Sequence, residues 1–124
     1  MRRINKAWGY EEVLVNEPEY CAKMLHLDAG KMCSLHFHKT KKETFIVLMG
    51  LVRLEWSQQD ELLRAREART LLPGMSHRFS SAHGAVILEI STHHDDADVV
   101  RLEPSGEAKV LAGRAGDRAS RDSD

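Results

Sequence analysis

The sequence predicts an all-β protein, an antiparallel barrel or jelly roll, and three observations carry that prediction. About nine or ten short segments of strand-like composition follow one another, spaced as in sandwiches and barrels. Turn-forming residues separate them, at 16–19, 28–30, 73–74 and 80–84. The runs 43–49 and 85–90 are almost wholly apolar, which suits strands covered on both faces.

Residues 1–9 read as an entry arm anchored by Trp8, because a large ring with one polar atom near a terminus docks on a core edge. A strand over 11–15 stops at Asn16 and Pro18. A second strand covers 20–27, and Asp28, Ala29 and Gly30 turn the chain into the segment that carries His36 and His38. The polar residues 39–42 read as a tight turn before the apolar run from Glu43. After Gly50, alternation places Val52, Leu54 and Trp56 on one face and Leu51, Arg53 and Glu55 on a solvent-facing one. Residues 61–71 contain strong helix formers at helical spacing, but the β elements on both sides favour two short strands around a turn near Arg66 and Glu67. Strands over 76–79, 85–90 and 98–102 complete the sheets, so that residues 1–103 are expected to form one domain. From 104 the composition turns to Ser, Gly, Ala, Arg and Asp. Such a segment buries too little apolar surface to offset its ordering entropy, and 104–124 is expected to be a disordered tail.

A chain of 124 residues holds one core. Its 42% hydrophobic and 30% charged content is that of an ordinary globular protein. A net charge of −1 exerts no global pull on nucleic acid or on an anionic membrane. No window has the run of about eighteen apolar residues that a membrane helix needs, and the first residues lack an apolar signal core. The expected location is therefore the cytoplasm, with Cys21 and Cys33 reduced and buried.

The chemistry concentrates around His36, His38 and Glu43. Alternate side chains of a strand leave one face, which puts the two imidazoles roughly 6 to 7 Å apart and pointing the same way. The strand from Glu43 is expected to run back beside the first and bring a carboxylate to the same place. Two imidazoles and a carboxylate suit a divalent metal with coordination positions left open, and His77 is the downstream histidine placed to join them. Glu89 is the first candidate for a general base, since a carboxylate in so apolar a strand either points into a polar cavity or is paired. Lys23, between apolar neighbours, either binds a phosphate or an acidic sugar or snorkels at the surface. Arg78 faces away from His77. His26 and His83 read as surface or edge residues, and the run from His93 to Asp96 as a solvated loop.

These residues resemble the cupin superfamily. Its first motif is a glycine, five residues, His-x-His, three or four residues, a glutamate, six residues and a glycine, matched by Gly30, His36, His38, Glu43 and Gly50. Its second motif is matched in part, by Pro73, Gly74 and His77, with Ser81 where an asparagine is common. The resemblance covers roughly residues 8 to 103 and implies a double-stranded β-helix jelly-roll barrel enclosing an ion held by His36, His38, Glu43 and His77. Trp8-Gly9, the strand after Tyr20, Ser34-Leu35-His36 and Glu89-Ile90-Ser91-Thr92 are similar to the sugar branch of the superfamily, the cupin domains of mannose-6-phosphate and D-lyxose isomerases.

That branch implies a metal-dependent isomerase or epimerase of a sugar or sugar phosphate. A divalent ion, whether Zn, Mn, Fe, Ni or Co, would polarise a carbonyl and its neighbouring hydroxyl while Glu89, helped by Lys23, moves the proton between them in an enediolate-type transfer. An iron-dependent dioxygenase and a non-catalytic sugar-binding or regulatory module are the competing readings. Edge strands and the apolar faces around Trp8 and Trp56 suggest a homodimer.

Overall fold

The structure, a computed structural model, describes residues 1–108 as two antiparallel sheets packed on one core. The chain runs β1 (Arg2–Lys6), β2 (Gly9–Asn16), β3 (Cys21–Leu27), β4 (Lys31–Met32), β5 (Leu35–His38), β6 (Glu43–Gly50) and β7 (Val52–Trp56). It continues with β8 (Gln59–Leu63), β9 (Ala68–Leu71), β10 (His77–Ser81), β11 (Ala85–Ser91), a single 3-10 turn (Asp96–Asp98), β12 (Val99–Glu103) and β13 (Gly106–Glu107). The first sheet has the order β1-β2-β3-β11-β6-β9. The second follows β12-β5-β10-β4-β13, with β7 joining it through β10 and carrying β8 on its far side.

Register decides what the inside of the barrel contains. Ile87 lies opposite Leu25 on β3 and Val47 on β6, so one end of the interior is filled with aliphatic side chains. Two residues on, Glu89 lies opposite Lys23 and Phe45, and beyond it Ser91 lies opposite Cys21 and Glu43. All of these point inward, because side chains on a strand alternate and each of the three strands alternates buried with less buried positions. The same strands therefore build an apolar core at one end and a polar cavity at the other.

The ambiguous stretch after Glu61 is β8 and β9 rather than a helix, with Arg66 taking the turn at φ 75°. The entry arm is an added strand: β1 pairs with β2 from Arg2 to Lys6. Trp8 is 7% exposed and packs edge-on against Phe79 in the core, while Trp56 donates its indole N–H to Glu61 and lies under the Arg69 guanidinium. Neither tryptophan offers an open apolar face. In the segment expected to be a tail, Gly106–Glu107 pairs with β4 and Ala108 N–H donates to Gly30 O. The rest of it, from 109 on, lies outside the described residues.

The largest departure from expectation concerns the two segments that carry the histidines and Glu43. They form no hairpin. β5 pairs with β10 and β12, whereas β6 pairs with β11 and β9 in the opposite sheet. The reason lies in the four residues between them. Lys39 N–H donates to Asp98 O, and Thr40 N–H, Thr40 Oγ1 and Lys41 N–H donate to the Asp98 carboxylate. These bonds hold the linker against the start of β12 and carry the chain from one sheet to the other.

The β7–β8 hairpin turns on Ser57 and Gln58, both left-handed at φ 42° and 67°. A two-residue turn with two positive φ values favours glycine at its second position. Gln58→Gly is expected to raise unfolding stability by about 1 kcal/mol, read from the urea midpoint, because it removes a strained side-chain conformation.

Candidate metal centre

Three histidines meet at the polar end of the barrel. His36 and His38 leave the same face of β5, and His77, directly opposite His36 in the register of β10, comes up beside them. Their nearest ring nitrogens all lie within 4.8 Å of one another, and this trio could hold a metal ion. Glu43 reaches in from the facing sheet, its Oε2 standing 3.2 Å from His77 Nε2 and 3.5 Å from His38 Nε2. The four residues expected to converge do so, although Glu43 arrives from across the barrel instead of along a hairpin.

The hydrogen bonds on the far side of each ring decide what faces the centre. His77 Nδ1–H donates to Met75 O at 3.0 Å, and His36 Nδ1–H donates to Ser34 O at 2.8 Å. Carbonyl oxygens accept only, so the protons sit on Nδ1 and the Nε2 lone pairs face inward. His38 Nδ1 faces Asp98 Oδ2 at 3.8 Å. His77 Nε2 is buried with no hydrogen-bond partner, although a carboxylate oxygen lies 3.2 Å away. A lone pair set against a carboxylate with no proton between them is unfavourable, and a cation there relieves it. The donor set fits a divalent metal, with carbonyl-anchored imidazoles of the kind that orient metal ligands.

Burial keeps the His36 and His38 rings neutral. Desolvation, reinforced by His77, lowers the pKa of His36 to about 4. Desolvation, with Lys41, His36 and His77 adding to it, lowers that of His38 to about 3. Neither ring has to lose a proton to a metal at neutral pH.

Beside the histidines runs a row of buried charge. Lys41 is 3% exposed, and its ammonium donates to Glu89 Oε2 at 3.0 Å, lies 3.6 Å from Glu43 Oε1 and donates to His94 Nδ1 at 3.0 Å. Burial disfavours the charged lysine, but Glu89 and Glu43 outweigh it and its pKa is raised. Burial likewise opposes the ionised Glu89, and the charges of Lys41 and Lys23 overcome it and hold the carboxyl below its ordinary range. Lys23 is also 3% exposed and pairs with Glu11 at 3.3 Å, so it does not snorkel. Lys23, Glu89 and the histidines of β5 line one cavity of about 130 Å³.

Two residues of this row were not foreseen. Lys41 sits in the polar stretch Lys39-Thr40-Lys41-Lys42, which reads as a tight turn, and the only hint of its burial is its place between His38 and Glu43. His94, expected in a solvated loop, lines the cavity, with Asn16 bonded to both its backbone N–H and its carbonyl. Asp96 then accepts from His94 Nε2 at 2.8 Å. Arg78, expected to face away, is buried on the other side of β10 against Cys33 O, Glu103 and Pro104 O. Both cysteines are free and buried, and burial pushes the Cys33 thiol up to about 12.

Residues 1–104 match the family described as Mannose-6-phosphate isomerase C-terminal. The chain belongs to that family. A search of curated proteins finds no match. Among solved structures, the chain is similar to KdgF from Halomonas sp., with a TM-score of 0.67 at 15% identity over 71% of this chain and 81% of that one. It is also similar to a cupin-2 domain containing protein from Shewanella frigidimarina, at 0.59 and 23% identity over 70% and 82%. With oxalate decarboxylase from Bacillus subtilis the values are 0.71 and 16%, over 82% of this chain and 30% of that one. What is shared at such identities is the fold, the cupin double-stranded β-helix. Among the described residues no helix is long and apolar enough to cross a membrane.

Two outcomes are expected from this arrangement. His36 and His38 stay neutral in the folded chain while the unfolded chain protonates its histidines near 6.5. The folded state then binds fewer protons, so the stability present above 6.5 falls as the pH drops through about 4 and on toward about 3. Urea midpoints of metal-free protein should fall across that window, with a shallower slope in a His36→Gln, His38→Gln variant. Lys41→Met leaves two buried carboxylates without their cation and should cost about 3–5 kcal/mol in the same assay.

Proposed function

We propose that the protein is a metal-dependent isomerase or epimerase of a sugar or sugar phosphate, working as a cytoplasmic homodimer. One observation carries this reading: His36 and His38 of the metal-competent cluster line the same cavity as the buried Lys41–Glu89 pair, and Glu43 lies within 3.6 Å of Lys41 and 3.2 Å of His77. His36, His38, His77 and Glu43 would hold the ion, and their mixed nitrogen and oxygen donors suit Zn, Mn, Fe, Ni or Co. Once bound, such an ion supplies Lewis-acid polarisation of a sugar carbonyl and its neighbouring hydroxyl.

The remaining work falls to side chains. Glu89, kept ionised by its lysines, accepts the proton from the carbon next to the carbonyl. That C–H bond breaks and its electron pair forms the carbon–carbon double bond. The protonated carboxyl then returns the proton to the adjacent carbon, while the hydroxyl proton passes to the former carbonyl oxygen. Lys41 steadies whichever charge Glu89 and Glu43 carry through the cycle, and the aliphatic end of the barrel excludes water from below. Lys23, with Glu11 as its partner, offers a second ammonium to a phosphate or acid group of the substrate. The family match supports the sugar assignment, since its described member is an isomerase of a sugar phosphate.

The test is a panel of sugars and sugar phosphates followed by NMR in D₂O with each metal supplied. The expected result is solvent deuterium on the carbon next to the carbonyl, product formation without oxygen, and a rate at least ~100-fold lower in Glu89→Gln. Metal content per chain should vanish in a His36→Ala, His77→Ala variant, measured by atomic emission. Oxygen consumption with substrate would point to a dioxygenase, and ligand-dependent stabilisation without turnover to a binding module. Either result overturns the isomerase reading.

A further inference from the structure

Two of the three rings at the metal centre are fixed by the backbone. His36 Nδ1–H donates to Ser34 O and His77 Nδ1–H to Met75 O, each carbonyl lying two residues back along the chain. His38 has no such anchor. It lines the cavity, and of its two nitrogens Nδ1 is the one buried without a hydrogen-bond partner, 3.8 Å from Asp98 Oδ2. The carboxylate facing it is itself held in place. Asp98 is 8% exposed and immediately precedes Val99, which lies opposite His38 in the register of β12 and β5. Thr40 N–H and the Thr40 hydroxyl both donate to Oδ1, and Lys41 N–H donates to Oδ2 at 3.1 Å. Each carboxylate oxygen offers two lone-pair sites, so Oδ1 is full and Oδ2 keeps one. A buried nitrogen lacking a partner thus faces an unused acceptor site.

We infer that Asp98 is a positioning residue of the metal centre, which keeps the His38 proton on Nδ1 and so presents the Nε2 lone pair to the ion. A neutral imidazole carries one N–H and one lone pair, and two carboxylates compete for that N–H. The rival is Glu43 Oε2, 3.5 Å from His38 Nε2. Solvent decides between them. A proton on Nε2 would turn the Nδ1 lone pair toward the Asp98 anion in a place water does not reach, leaving an unpaired acceptor in a low-dielectric interior. A proton on Nδ1 directs the N–H at that anion and leaves the lone pair on the nitrogen facing the cavity, where water or a cation can meet it. At 3.8 Å the contact is a charge–dipole attraction rather than a hydrogen bond. The same Oδ2 accepts from Lys41 N–H, so Asp98 ties the orientation of His38 to the linker that carries Lys41. This inference rests on the metal reading of the histidine cluster and adds to it the residue that prepares its third ring.

Long-range proton–nitrogen correlation spectra of the histidine-labelled full chain, metal-free and at neutral pH, read the tautomer of each ring without reference to any activity. His38 should carry its proton on Nδ1, as should His36 and His77. Asp98→Asn should move the His38 proton toward Nε2 and leave the other two rings unchanged. Zinc alone is the second probe, titrated against a competing chelator. Asp98→Asn should weaken zinc binding ~10–100-fold, whereas Thr40→Val, which removes one donor to Oδ1 and spares the charge facing His38, should change it less than ~3-fold. A wild-type His38 protonated on Nε2, a zinc affinity indifferent to Asp98→Asn, or an equal loss in Thr40→Val would each overturn the inference and leave the metal centre standing. Failure of the wild type to bind zinc would overturn both. Should Asp98→Asn fail to fold, the wild-type spectrum still decides, because it locates the His38 proton directly.

Discussion

Two carboxylates inside so small a barrel are tolerable only because the Lys41 ammonium lies against both of them and Lys23 adds its charge beside Glu89. Lys41 sits between Glu89 and Glu43, and any one of the three left alone would be a bare charge in a low-dielectric interior. This mutual compensation permits the register of β11 to turn from Ile87 to Glu89 and β6 to begin with Glu43. It also links the two halves of the site, because Glu43 presents one oxygen to the histidines and the other to Lys41. The apolar half of the same interior supplies the packing that makes the polar half possible, with Leu25, Val47 and Ile87 almost wholly buried one row away.

Much of this was legible along the chain. His-x-His needs only the two-residue period of a strand to place both rings on one side, and that period holds in any fold containing the strand. Glycine and proline punctuation gave the β class for the same local reason. Glu43 was correctly brought to the histidines by the wrong route, since a short polar linker reads as a hairpin whether it closes one sheet or crosses between two. What separates those outcomes is the Asp98 carboxylate, far away in sequence. Lys41 was hidden by its lysine neighbours. Lys23 and Glu89 were each noticed singly, but their position side by side is a property of strand register, which nothing in either strand announces. Adjacent side chains on an extended strand diverge, so the run from His93 to Asp96 reads as a solvated loop, although Asn16 fixes the His94 backbone from far away in the sequence.

Structures similar to this one carry names as different as KdgF and oxalate decarboxylase, so the double-stranded β-helix constrains where a site can form more than what it does. The sheets enclose an interior that is apolar at one end and polar at the other. The identity of the inward residues at that end then sets the chemistry, and here it joins neutral imidazoles to a compensated acid–base pair.

The Asp98 carboxylate has an effect on motion as well as on topology. It accepts from Thr40 and Lys41, while His94 a few residues earlier accepts from the Lys41 ammonium. A fluctuation that lifts the segment from His94 to Asp98 therefore withdraws the acceptors that shape the linker and steady its lysine in the same event. The two stretches must fray and re-form as one cooperative unit, and their amide protons should share a single opening free energy even though more than fifty positions separate them along the polymer.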